Sequence, residues 1–209
     1  MIPKPTEISE HRPRVLVATT NPGKLREIHK ILGHLPIQLV TLDAYPSISD
    51  PEETGTTFAE NAKLKACYYA HSTNELTVAE DSGLEIDALD GAPGVRSARF
   101  NGESYQEKFR TISKMLHERG RTTSTARFVC AVAVWLKDSM IWETIKTVEG
   151  RLKLPPQGDH GFGYDPIFYY PPYGRTLAAV SPTEKAAISH RGQAFRALRT
   201  DLKHILAKT

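Results

Sequence analysis

Two short runs rich in β-branched residues, Arg14 to Thr20 and Ile37 to Thr41, flank a stretch, Lys24 to Leu32, in which Leu25, Ile28, Ile31 and Leu32 share one helical face. Strand, helix and strand at this spacing make a βαβ unit, which commits the chain to an α/β fold with at least one parallel strand pair. At 209 residues the chain is long enough to bury a core without disulfides or metals as staples. Hydrophobic residues at 40% and charged residues at 24% exclude wholesale disorder.

The punctuation further along fits the same class. Thr57 followed by Glu60 is a capping-box signature for a helix to about His71. Leu76 to Glu80 reads as a buried strand ending at Glu80-Asp81-Ser82-Gly83, with Leu84 to Leu89 as a separate extended piece and Gly91 to Gly94 as a turn. Tyr105 to Glu118 is amphipathic, with Phe109, Ile112 and Leu116 inward. Thr125 to Leu136, the longest apolar stretch, predicts a central strand. Asp138-Ser139 turns it into Met140 to Glu149 as a hairpin. Ser181, Pro182 and Glu184 predict an N-cap, first-turn proline and capping glutamate, and Gln193 to Ala207 a final helix. We expect a polar arm over residues 1–13 and one domain over residues 14–209, with a mixed sheet and a cleft.

Lys plus Arg at 27 against Asp plus Glu at 24 gives a net charge of +3, too small to argue for nucleic acid as a partner. No apolar run approaches the roughly 18 residues of a membrane span, and the polar start does not read as a signal peptide. Cys67 and Cys130 form no disulfide framework, so a cytoplasmic setting is expected.

Four segments have the chemistry of a site. Thr19-Thr20-Asn21-Pro22-Gly23-Lys24 lies at a strand-to-helix junction, where helix N–H groups attract phosphate and Lys24 adds a point charge, although the P-loop glycine spacing is missing. Glu80-Asp81 followed by Ser82 and Gly83 falls at the expected carboxyl end of a strand, where two adjacent carboxylates can hold Mg²⁺ and orient a water, with the Glu52-Glu53 loop as a further ligand source. Phe162, Gly163, Tyr164 and Asp165 set aromatics among glycines, a surface suited to stacking a base. Lys185, His190 and Arg191 add donors. On one unbroken helix Lys185 and His190 would point about 140° apart, so they converge only if Ser189 caps a new helix. Each segment alone also has an ordinary reading: a βα turn, an Asp before Ser-Gly, a glycine-rich turn over the core, a surface lysine and a structural histidine.

In this order the segments resemble the Ham1 family, the inosine triphosphate pyrophosphatases that hydrolyse non-standard purine nucleoside triphosphates. The resemblance runs from about Arg14 to the C-terminus. It includes Glu52-Glu53-Thr54-Gly55, Phe58, Glu60-Asn61-Ala62, Lys65-Ala66, Gly91 to Gly94, Ser97-Ala98-Arg99, Gly161 to Pro166 and Glu184 to Gly192. It implies an elongated two-lobed fold around a central twisted mixed sheet, with the active cleft between the lobes. It also implies a homodimer and Mg²⁺-dependent conversion of ITP, dITP or XTP to the monophosphate and pyrophosphate. By the family pattern Thr19 to Lys24 hold the triphosphate, Glu52 and Asp81 are metal ligands, Asp81 is the proton acceptor and Ser82 a substrate contact. Phe162 to Asp165, Lys185, His190 and Arg191 match the positions for the base and phosphates. Thr20 stands where many members have Gly, and Arg96 where an apolar or aromatic residue is common. Glu80 stands where bacterial members often have Asp, which leaves open which of Glu80 and Asp81 does what. Two other readings stay in view: a Maf-type pyrophosphatase of different base specificity, which the Ser189-His190-Arg191-Gly192 block argues against, and a nucleotide-binding module without catalysis.

Overall fold

The computed structural model describes residues 12–207. Most of the expected N-terminal arm, residues 1–11, lies outside the described residues. The chain runs β1 (Arg14–Ala18), α1 (Pro22–Leu32), β2 (Gln38–Thr41), α2 (Phe58–Thr73), β3 (Leu76–Ile86), α3 (Tyr105–Glu118), β4 (Thr125–Leu136), β5 (Ser139–Leu152), β6 (Phe168–Tyr170), β7 (Arg175–Thr176), α4 (Pro182–Ile188) and α5 (His190–Leu206). The strands form one seven-stranded sheet in the order β2-β1-β3-β4-β5-β6-β7. β1 is parallel to both β2 and β3, and every other pair is antiparallel. The mixed sheet expected from the sequence is therefore present, with β4 at its centre. No helix among the described residues is long and apolar enough to cross a membrane.

Local chemistry starts and stops the helices as the sequence indicates. Thr57 and Ser181 each accept a hydrogen bond from the backbone three residues on, and Glu60 and Glu184 return it, an arrangement worth about 1 kcal/mol per cap. Ser189 ends α4 and caps α5 through its hydroxyl on the Gly192 N–H. α5 thus begins three residues earlier than the apolar pattern indicates, because the cap rather than the periodicity sets its start.

Three apolar clusters define the two lobes. In one lobe α1 and α5 bury Ile28, Leu32, Phe195 and Leu198 against Val15, Val78 and Val132 on one sheet face. α2 covers the opposite face with Phe58, Ala66 and Tyr69. The far halves of β3, β4 and β5 form the second lobe with α3, joining Leu84, Ile86, Phe128, Ile112, Leu116 and Phe168.

One expectation about the sheet needs correcting. β3 does not end at Glu80. It runs unbroken through Glu80-Asp81-Ser82-Gly83 to Ile86, paired to β4 from Thr77 to Ile86. Gly83 is there for close approach rather than for a turn: a Cβ would collide with Ser97 Oγ and the Gly94 carbonyl. The strand's parallel neighbour β1, however, stops at the Ala18–Ala79 pair. From Glu80 onward that flank of β3 is free, and the cleft between the lobes opens there.

Candidate active site

The cleft has a volume of about 350 Å³. Thr19, Thr20, Asn21, Lys24, Asp81, Ser82, Phe162, Gly163, Tyr164, Asp165, Lys185, His190 and Arg191 all line it. Segments separated by up to 172 residues, from Thr19 to Arg191, therefore converge. Pro22 and Gly23 sit behind the loop, with Gly23 pressed against the Phe162 ring, where a Cβ would come within 2.9 Å. Glu52 is exposed and does not line the cleft, whereas its neighbour Glu53 does.

Because β3 is a continuous strand, adjacent side chains alternate between its faces. Glu80 points toward α1 and α5, and Asp81 toward α2. The two acids expected to share one cation thus do not converge. Glu80 is 1% exposed and receives Arg191 Nε at 2.7 Å, Lys24 Nζ at 3.5 Å and the Cys130 thiol at 3.2 Å. Burial would raise its pKa, but Arg191 and Lys24 reverse that and hold it far below the usual carboxylate range. Glu80 is an ion-pair anchor for the cations around it.

Asp81 behaves differently. Burial pushes its carboxyl up from the ordinary value despite the opposing charges of Lys65 and Lys24. Asn61 Nδ2 donates to its Oδ2 at 3.2 Å, and Lys65 Nζ lies 3.5 Å from its Oδ1. A raised, pinned carboxylate on the cleft wall is suited to accepting a proton. Lys65 also reaches Glu53 at 2.8 Å, and Arg99 holds the other Glu53 oxygen at 2.7 Å. Asn61 and Lys65, four residues apart, share the face of α2 that looks onto β3. Neither was singled out as a site residue from the sequence; that spacing is the signal that could have found them.

The loop at residues 19–24 is built differently from expectation. The Asn21 side-chain oxygen accepts from the N–H groups of Gly23 and Lys24 at 2.9 and 3.1 Å. Those backbone donors are therefore used internally to cap α1. What the loop offers a phosphate is the helix dipole, the Lys24 charge and the Thr19, Thr20 and Asn21 side chains.

Asp165, in the loop before β6, is 2% exposed, and its Oδ2 accepts from Phe162 N–H at 2.8 Å and from Lys185 Nζ at 2.5 Å. Its pKa is raised by burial. Glu27 of α1, not singled out from the sequence, bridges Lys185 at 2.9 Å and Arg191 at 2.8 Å. Arg191 donates in addition to Ser82 Oγ at 2.8 Å. Five guanidinium N–H groups against these acceptors leave one Nη1–H without a partner among the described residues. Lys185 and Arg191 lie 4.6 and 5.5 Å from the centre of the Phe162 ring. The Tyr164 hydroxyl is spent on the Ser97 carbonyl at 2.8 Å, so its ring is part of the wall. His190 stacks on Phe128, ring centres 4.8 Å apart. Burial and the nearby Arg191 charge push its pKa well below the ordinary value, so it is neutral, and its buried Nδ1 has no partner. A buried, unpaired imidazole nitrogen beside a cleft is a group waiting for a ligand.

Among the described residues no group of three or more His, Cys, Asp or Glu is arranged to hold a metal. Mg²⁺, however, is commonly bound by one or two carboxylates completed by water and substrate phosphates. Asp81 and Glu53, both within reach of the one Lys65 amine, fit such a substrate-completed site.

Comparison with known proteins places the chain in a family. The family model described as Ham1 family matches residues 15–201. A dITP/XTP pyrophosphatase of Exiguobacterium sp. is 43% identical over 189 residues, covering 90% of this chain and 96% of that protein. One of Synechocystis sp. is 45% identical over 188 residues, covering 89% and 93%. The structure of a Ham1 protein from Coxiella burnetii superposes with a TM-score of 0.85 at 38% identity, over 92% of this chain and 99% of that one. With a family match spanning nearly the whole chain and close relatives of matching length, this protein belongs to the Ham1 family.

Proposed function

We propose that the protein hydrolyses the non-canonical purine nucleoside triphosphates ITP, dITP and XTP to the monophosphate and pyrophosphate, with Mg²⁺ as cofactor. The homodimer and the cytoplasmic setting belong to the same reading. The observation that carries it is the mixed chemistry of one cleft. Its lining brings together the cations Lys24 and Lys65, the carboxylates Asp81 and Glu53, and the Phe162 ring with Lys185, Arg191 and a neutral His190. The cations and carboxylates suit a metal-bound triphosphate, and the ring with its neighbouring donors suits a purine. The dITP/XTP pyrophosphatase names of the relatives agree with it.

In this mechanism the Asp81 carboxylate takes the proton from the water that attacks the α-phosphorus. Asn61 fixes the carboxylate's orientation, and Lys24 and Lys65 meet the phosphates. Mg²⁺ held by Asp81 and Glu53 would neutralise charge developing on the pyrophosphate leaving group. Beside the purine the Lys185 ammonium and the free Arg191 N–H are donors only, so they can donate to a 6-keto oxygen but have nothing to offer the 6-amino group of adenine. Pyrophosphate released from ITP with Mg²⁺, and absent in EDTA, is the expected outcome. Orthophosphate as the first product, or full activity in EDTA, would overturn the reading.

Phe162 gives a separable expectation. Stacking on a purine is worth about 1–3 kcal/mol and does not read which purine it is. Phe162→Ala is therefore expected to lower kcat/KM for ITP and ATP by the same factor. A loss confined to ITP would make the ring a base reader instead.

A further inference from the structure

Asp81 and Glu53 each have one oxygen committed elsewhere, Asp81 Oδ2 to Asn61 and Glu53 Oε2 to Arg99. The remaining oxygens, Asp81 Oδ1 and Glu53 Oε1, share a single partner. The Lys65 ammonium lies 3.5 Å from the first and 2.8 Å from the second. Two carboxylates facing the same small volume repel each other unless a cation is present. The structure puts a cation there, on a flexible four-carbon stem rooted in α2. Lys24 also acts on both acids, but its amine is placed 3.5 Å from Glu80. Lys65 is thus the cation that bridges the pair.

We propose that Lys65 is a tethered stand-in for the divalent cation: in the nucleotide-free protein it occupies the charge position between Glu53 and Asp81, and it yields that position to the metal ion as its own charge passes to the substrate's phosphates. The inference rests on the metal-dependent reading above. A divalent ion entering alone would have to displace an ammonium already paired with both acids, and that ammonium would lose its two contacts without a phosphate to replace them. When the ion arrives with a nucleotide, the phosphates supply the anion. The lysine therefore disfavours the empty, metal-loaded cleft and favours joint entry of cation and nucleotide. It also keeps the two carboxylates turned toward one cation position.

The test is Mn²⁺ binding to the nucleotide-free protein, followed by calorimetry and by the electron paramagnetic resonance signal of free Mn²⁺. Lys65→Met removes the competing charge and is expected to bind Mn²⁺ at least about tenfold more tightly than the wild type. Lys65→Gln should do the same if the Met variant folds poorly. Lys65→Arg keeps a cation in place and should stay near the wild-type affinity. Added pyrophosphate should tighten Mn²⁺ binding more in the wild type than in Lys65→Met, because only the wild type has an ammonium to hand over. Equal or weaker Mn²⁺ binding by the neutral variants, or no binding by any form, would overturn the proposal and make Lys65 a plain structural clamp. Turnover plays no part in this measurement. Failure to hydrolyse ITP would thus sink the proposed reaction while leaving the Lys65 comparison to be judged on its own.

Discussion

Replacing Asp81 by Asn is expected to lower kcat for ITP by about 10²–10⁴-fold, the usual contribution of a positioned general base, with a further loss from the weakened cation site. The fold should survive. An Asn at this position keeps the shape and an oxygen that can still accept from Asn61 Nδ2, now 3.2 Å from Asp81 Oδ2. What it loses is the carboxylate that burial has tuned upward and that faces the cleft from the α2 side of the sheet. Pyrophosphate release at saturating ITP, with circular dichroism and thermal melting as folding controls, makes the measurement. A variant with a kcat within a few-fold of the wild type would reassign the base. The next candidate is then Glu53 rather than Glu80. Glu53 lines the same cleft, whereas Glu80 points to the other face of β3 and is locked to Arg191.

The contrast between Glu80 and Asp81 marks where reading the sequence succeeds and where it stops. Helix starts are local chemistry. Thr57 with Glu60, and Ser181 with Pro182 and Glu184, name their own caps. Ser189 announces the break that lets Lys185 and His190 face one cleft. β4 and its hairpin partner follow from a long apolar run and a short polar turn. Ser82-Gly83 misleads because the same dipeptide that makes a turn also lets another segment approach a strand closely. Only the tertiary position of Ser97 and Gly94 tells the two apart. Once the strand is read as ending there, the two acids look like partners instead of opposites. The pairings that then matter are non-local. Glu80 and Arg191 lie 111 residues apart, and Glu27 and Arg191 164 apart. No periodicity links them. Glu53 rather than Glu52 faces the cleft because of how an irregular loop lies, which residue type alone does not decide.

Arg191→Met should be the most destabilising single change in the site. The guanidinium is 2% exposed and is the closest cation to Glu80, itself 1% exposed, at 2.7 Å. Removing it leaves Glu80, among the described residues, with the Cys130 thiol and the Lys24 amine at 3.5 Å. Glu27 keeps Lys185 and is less affected. Breaking a buried pair from one side costs about 3–5 kcal/mol because a charge stays buried without its partner. For a chain of this size that is a fall of roughly 6–20 °C in Tm. The sign of a second change separates this account from simple loss of packing. Glu80→Gln in the Arg191→Met background removes the stranded charge, so the double variant should melt above the Arg191→Met single variant. If instead the second substitution lowers Tm further, the Glu80–Arg191 pair is not the source of the loss. The same coupling governs any specificity measurement at this position. A fall in kcat/KM for both ITP and ATP in Arg191→Met mixes a collapsed ion network with a lost base contact. The ITP/ATP ratio is therefore to be read in the double variant, where the stranded Glu80 charge is gone; the contacts to Glu27, Ser82 and Lys24 that are also lost bear on both nucleotides, whereas the missing N–H donor bears on the 6-keto oxygen. A ratio that moves toward one there identifies Arg191 as a reader of the 6-keto oxygen, and an unchanged ratio assigns that task to Lys185 and His190.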